Sequence, residues 1–155
     1  GYAVDNFLVQ DPHGQPFAEG QQLERLKRSI RDALANRVDL VPKLAARPLP
    51  ITRSSAFRIA PRVTFDNNAS GRFTVIEVNA RDRPALLNRL ARALFESNLV
   101  IQSAHVTAYG ERAADTFYVT DLLGAKITAD DRLKEISDRL LHAASDARQK
   151  QLEEA

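Results

Sequence analysis

Cysteine, methionine and tryptophan are absent from the 155 residues. The first absence removes disulfides, thiolate nucleophiles and cysteine-type zinc sites, and suits a reducing, cytoplasmic setting. The second implies that the segment does not start at an initiator residue, so it is expected to begin inside a longer protein. Long apolar runs are missing as well. None approaches the roughly 20 residues needed to cross a bilayer, and Gly1–Asp5 has neither the basic nor the apolar region of a secretory signal. No membrane partner is expected. Charge of one sign is also lacking: 22 Lys and Arg stand against 20 Asp and Glu, for a net charge of +2. That balance gives no reason to expect nucleic acid or an anionic surface as partner. His13, His105 and His142 fall on different elements without metal-ligand spacing, so no metal site is expected. His105 reads as filling an edge or interface position.

What is present is a repeat. At an offset of 110 residues, Asp5, Phe7, Val9, Asp11 and Gly14 fall on Asp115, Phe117, Val119, Asp121 and Gly124. Leu23, Leu26 and Ile30 fall on Leu133, Ile136 and Leu140 without a gap. The first set shares one face of a strand and the second one stripe of a helix. Retention of a whole face on each of two elements points to a tandem of one supersecondary unit. The second copy has about 40 further residues before its repeated strand, so the first copy is present as a C-terminal half.

The chain divides accordingly. Residues 1–40 hold the half copy, with a strand over Val4–Gln10, a turn at Pro12–Gly14 and a helix over Gln21–Asn36. Residues 41–71 form a linker rich in proline, with a short strand at 62–66. Residues 72–145 form the complete copy, and 146–155 a polar tail. Within the complete copy, strands are expected over Phe73–Asn79, Val100–Tyr109 and Ala113–Asp121, with a hairpin turn at Gly110–Glu111. Asp82 and Pro84 mark a helix start, Leu86, Leu87, Leu90 and Leu94 its apolar stripe, and Asn98 its end. A second helix runs from about Ala129 to Ala144. Two helices laid on one face of the sheet give an α+β, ferredoxin-like βαββαβ sandwich. The fourth strand is not obvious after Ala144. The strand at 62–66 is the candidate, and the sheet it joins is left open. An incomplete copy should leave an unpaired edge.

The stretch Thr74-Val75-Ile76-Glu77-Val78-Asn79-Ala80-Arg81-Asp82-Arg83-Pro84-Ala85-Leu86-Leu87 resembles the strand–loop–helix signature of ACT domains, small modules that bind free amino acids. Asp82, Pro84, Ala85, Leu86 and Leu87 match, except that the family's usual glycine after the proline is here Ala85. Phe57–Asn67 ahead of this stretch and Asp115–Asp121 after it extend the likeness. Together they resemble the C-terminal ACT tandem of the bacterial bifunctional uridylyltransferase/uridylyl-removing enzymes, which act on the PII nitrogen-signalling protein. The resemblance implies a sensor that reports glutamine to upstream catalytic domains of the same chain. It implies no catalytic residue and no cofactor in this segment, with magnesium belonging to the catalytic domains. It also implies ligand binding between two copies of the module.

The residues suit that role. A helix N-terminus offers unpaired N–H groups and a positive dipole end to a carboxylate or amide, and a neighbouring carboxylate suits an ammonium. Asp82, Arg83, Pro84, Ala85, Leu86 and Leu87 provide both, with Asn79 near the loop mouth. Asp82 either contacts ligand or merely caps its own helix, and the resemblance favours ligand. Asp115 and Asp121, placed at strand ends, read as turn and capping residues. Two other classes of reading stand beside this one. An RNA-recognition module shares the layout and would stack bases on Phe117 and Tyr118, but the basic motif residues are missing. An ACT module of another amino-acid-responsive enzyme, regulatory or purely for dimerisation and without glutamine binding, is the closer alternative.

Overall fold

The computed structural model describes residues 9, 13–16, 20–39, 42–43, 46 and 59–145. The strand expected over Val4–Gln10, most of the linker and the 146–155 tail lie outside the described residues, apart from isolated positions. The chain forms two units, 1–46 and 47–155.

The first unit carries α1 (Gln21–Leu34). Gly14, at φ 77, supplies the left-handed turn expected before it. The helix starts at Gly20 without a side-chain cap and buries no residue. Charged pairs support its surface, Lys27 with Glu24 at 2.9 Å and Arg37 with Asp32 at 3.5 Å.

The second unit holds β1 (Arg62–Asp66), β2 (Thr74–Arg81), α2 (Leu86–Glu96), β3 (Leu99–Tyr109), β4 (Arg112–Asp121) and α3 (Asp130–Ala144). The four strands form one antiparallel sheet in the order β1-β2-β4-β3. The strand at 62–66, unassigned from sequence, therefore lies against β2, with Val63 opposite Val78 and Phe65 opposite Ile76. It occupies the position that a strand after α3 would take in a βαββαβ order, so the sheet is completed from the N-terminal side. The reason is visible in its pattern: Val63 and Phe65 pack on the core between strand and helix.

Both helices cover one face. Leu86, Leu90, Ala93 and Leu94 form the buried stripe of α2; Ile136, Leu140, Ala143 and Ala144 form that of α3. They meet Ile76, Val78 and Ala80 of β2 and Ala113, Phe117 and Val119 of β4 in one cluster. The helices pack on each other, α3 reaching over β1 and β2 and α2 toward β3. Asn98, at φ 54, ends the α2 segment as expected.

The end of the sheet away from the Asp82 loop is stitched by side chains. Thr74 Oγ1 donates to Asn67 Oδ1 at 2.7 Å and accepts the Ile127 N–H at 2.9 Å. Asn67 Nδ2 donates to the Ile127 carbonyl at 2.8 Å. The Lys126 ammonium donates to the carbonyls of Asn67 and Ser70. Asp121 Oδ1 accepts the N–H groups of Leu123 and Ala125, closing a turn with Gly124 at φ 83. Among the described residues, no helix is long and apolar enough to cross a membrane.

Candidate functional site

The site lies where β2 runs out into α2. β2 continues to Arg81, two residues past the expected end, because Asn79, Ala80 and Arg81 stay paired with Ala114, Ala113 and Arg112. The Asp82 N–H then donates to the Glu111 carbonyl at 2.8 Å, which ties the loop to the β3–β4 hairpin. Arg81 stands 3.6 Å from the Glu111 carboxylate. Pro84 disfavours helical geometry at Arg83, so the helix cannot begin at or before Arg83.

The expected cap at Asp82 is not formed. The helix starts three residues later than that reading placed it, with Ala85 as the flanking residue at φ 66, ψ 5 and no side-chain cap. This is left-handed backbone, which costs a residue with a Cβ roughly 1–2 kcal/mol. It also explains in physical terms why glycine suits the position. Local pattern reading favoured Asp82 because an aspartate two residues before proline is a good start signal. The long-range tie to Glu111 and the turn at Pro84–Ala85 override it.

Consequently the Asp82 carboxylate is exposed and has no hydrogen bond or ion pair among the described residues. The first turn of α2 carries no acidic residue, whereas that of α3 carries Asp130 and Asp131. No acidic side chain in the first turn of α2 offsets the positive end of its dipole.

The other expected site residues separate into distinct roles. Arg83 turns away from the loop mouth: its guanidinium donates to the carbonyls of Ala143 at 2.8 Å and Ser145 at 2.7 Å, at the C-terminal end of α3. The Leu86 side chain is in the core, while Leu87 is 43% exposed beside the loop. The Leu86 N–H is used within the turn, on the Arg83 carbonyl at 3.2 Å. Asn79 does not close its strand. It lies on the sheet face opposite the helices and donates to Glu77 Oε1 at 2.6 Å, so its side chain is engaged away from the loop. Pro84 and Ala85 shape the loop through backbone geometry.

Asp121 makes the expected turn, but Asp115 caps nothing. Its side chain lies on the helix-facing side of β4 with Ala113, Phe117 and Val119, and it is 2% exposed. Burial pushes its carboxyl above the usual range; the Thr107 backbone N–H opposes the rise and the Asp82 carboxylate adds to it. The signal was present in the alternation of β4, which sets Asp115 on one face with Phe117 and Val119. Phe117 is in the core, so it offers no ring to a base. Tyr118 packs edge-on to Phe73 and His105 on the open face. His105 lies on β3, the edge strand, where an edge position was expected. Among the described residues no group of three His, Cys, Asp or Glu is placed to hold a metal ion.

Comparison with known proteins bears on the same region. Residues 69–146 match the profile of the ACR family N-terminal ACT domain. The whole chain is 70% identical to a bifunctional uridylyltransferase/uridylyl-removing enzyme of Erythrobacter litoralis (strain HTCC2594), of which it covers 17%. Proteins of the same name from Zymomonas mobilis and Azospirillum brasilense are 52% and 45% identical over 96% and 94% of the chain, which covers 16% of each. The chain therefore spans about a sixth of the length of the curated relatives it matches.

Proposed function

The chain belongs to the ACT-domain family, with its match in the ACR branch, and on that footing we propose that it is a regulatory segment that senses glutamine. The parent enzyme on this reading is a bifunctional uridylyltransferase/uridylyl-removing enzyme of the kind its relatives are named for. The observation that carries the reading is the Asp82–Leu87 loop. An exposed carboxylate without a partner among the described residues precedes a helix that no side chain caps and whose first turn carries no acid. A free amino acid supplies both missing charges, its ammonium to Asp82 and its carboxylate to the first-turn N–H groups around Ala85 and Leu87.

Residues 1–40 are, on the same reading, the C-terminal half of a preceding ACT copy, 41–71 the linker and 72–145 the second copy. The repeat supports it, as does α1, whose stripe of Leu23, Leu26, Ile30 and Ala33 corresponds to the buried stripe of α3 yet buries nothing. Ligand held at the loop of one copy alters how it docks on the other, and upstream catalytic domains read the change. This needs differential contact, because a ligand that fits both arrangements equally shifts neither. The PII protein, magnesium and a cytoplasmic setting belong to the parent enzyme in this proposal.

A dimerisation module of another enzyme is the second reading. It is favoured by the outer edge of β3, which pairs with no strand among the described residues and where Val106 is 54% exposed on the helix-facing side. Calorimetry of the full chain separates the two. Glutamine sensing requires a saturable heat with glutamine that glutamate does not give and that Asp82→Ala abolishes. A heatless titration at several millimolar glutamine leaves dimerisation as the function.

A further inference from the structure

Arg83 fastens the candidate loop to the C-terminal end of α3. Its Nη2 donates to the carbonyls of Ala143 at 2.8 Å and Ser145 at 2.7 Å. A helix C-terminus leaves its last carbonyls without intrahelical partners and favours a cation there. The Ser145 N–H and hydroxyl both go to the Leu141 carbonyl, so neither serves the two carbonyls that Arg83 takes. A guanidinium from another element therefore closes this terminus. At its other end Arg83 is part of the loop backbone. Its carbonyl accepts the Leu86 N–H at 3.2 Å, and the Asp82 N–H before it is held to the Glu111 carbonyl at 2.8 Å. The groups read as ligand contacts flank it in the chain, Asp82 on one side and the N–H groups around Ala85 and Leu87 on the other. A ligand that bridges them cannot shift them and leave the residue between them in place. The tether has little slack. Both bonds are already near the optimum length, so a displacement of the guanidinium by about 1 Å puts them out of range. Nε is buried as well, which restricts the swing of the stem.

We propose that Arg83 is the relay of the loop: an amino acid bound at Asp82–Leu87 lifts the guanidinium off Ala143 and Ser145 and frees the last turn of α3. The inference rests on the reading of that loop as the amino-acid site, and it names how occupancy is passed on from it. The free and bound states then differ by two hydrogen bonds, which is the differential contact that a switch requires. The freed turn is well placed. α3 packs against β1, and β1 begins at the same end of the sheet, with Arg62 opposite Asn79. A change at the end of α3 thus reaches the strand by which the chain enters the sheet. Coupling of this kind is reciprocal: if the ligand opens the cap, loss of the cap helps the ligand.

The test is a glutamine titration of the full 155-residue chain and of Arg83→Met, followed by amide NMR together with hydrogen exchange. In the unaltered chain, glutamine is expected to shift the Ala85, Leu87 and Asn88 amides saturably. It is also expected to accelerate exchange in the last turn of α3 and not in β3. Arg83→Met is expected to bind glutamine about three- to tenfold more tightly, because the cap no longer has to be broken. Its α3 end should exchange fast with or without glutamine. A purely structural Arg83 leaves the Kd unchanged on substitution, and an Arg83 that contacts the ligand weakens it. Either result overturns the relay while the loop reading survives. Exchange at the end of α3 that stays constant or slows when glutamine binds has the same meaning. If glutamine shifts no loop amide in the unaltered chain, the loop reading fails and the relay fails with it. Should Arg83→Met not fold, exchange in the unaltered chain decides alone.

Discussion

Ala85 holds a backbone conformation that its side chain opposes. At φ 66 its Cβ crowds the neighbouring carbonyl, while a glycine would meet no such clash. Ala85→Gly is therefore expected to raise stability by about 0.5–1 kcal/mol, after the extra entropy that glycine loses on folding is subtracted. Urea denaturation should show a higher midpoint at unchanged slope; a lower midpoint would mean that the methyl packs favourably. Asp115 makes a prediction of opposite origin. Its folded-state carboxyl is raised by burial, so between its unfolded and folded titrations the native state holds the proton more tightly than the unfolded chain. Stability contributed at low pH is thus lost as pH rises from the ordinary carboxylate range through the raised value. Asp115→Asn has no such loss and is expected to be more stable than the unaltered chain at neutral pH, by about 1–3 kcal/mol, with the difference vanishing in acid. Denaturation at several pH values checks it, and a variant that is less stable at neutral pH contradicts it.

Single contacts between elements hold the loop and the sheet ends in place. Arg83 bonds the last carbonyls of α3, the acceptors that a helix C-terminus leaves open. Arg83→Met keeps much of the stem and removes the donors. A loss of about 1–3 kcal/mol is expected, with hydrogen exchange accelerated at the end of α3 and not in β3. At the opposite end, Thr74 is fully buried and serves one donor and one acceptor at once. Thr74→Val preserves shape and orphans both Asn67 Oδ1 and the Ile127 N–H, for an expected loss of about 2–3 kcal/mol in chemical denaturation. At this scale the sequence was informative where periodicity carried the message. The stripes of α2 and α3 and the alternation in β2 and β4 follow directly from where leucine, isoleucine and valine stand. It failed at Asp82, because a start signal is local whereas the bond from its N–H reaches Glu111. Arg83 was legible as a loop residue but not as an anchor, since its partners lie some sixty positions away.

The architecture of the whole unit shows the same division. An α+β sandwich with helices on one face could be read from the order of elements. The completion of the sheet by β1 could not, since five residues carry no mark of which neighbour they pair with; Val63 and Phe65 against Val78 and Ile76 decide it. Entry to β1 and exit from α3 thereby fall at the same end of the sheet as the Asp82 loop. A loop that moves on binding can in this way pull on both chain connections, Arg83 being the direct link to the exit. The proposed regulatory role requires the loop to be an amino-acid site. Its most direct test is an amide NMR titration of the full chain with glutamine, repeated with glutamate and with Asp82→Ala. The predicted result is saturable shifts at Ala85, Leu87 and Asn88 with millimolar affinity, about −4 kcal/mol, absent with glutamate and in the variant. Amides at those positions that stay fixed through several millimolar glutamine would contradict it.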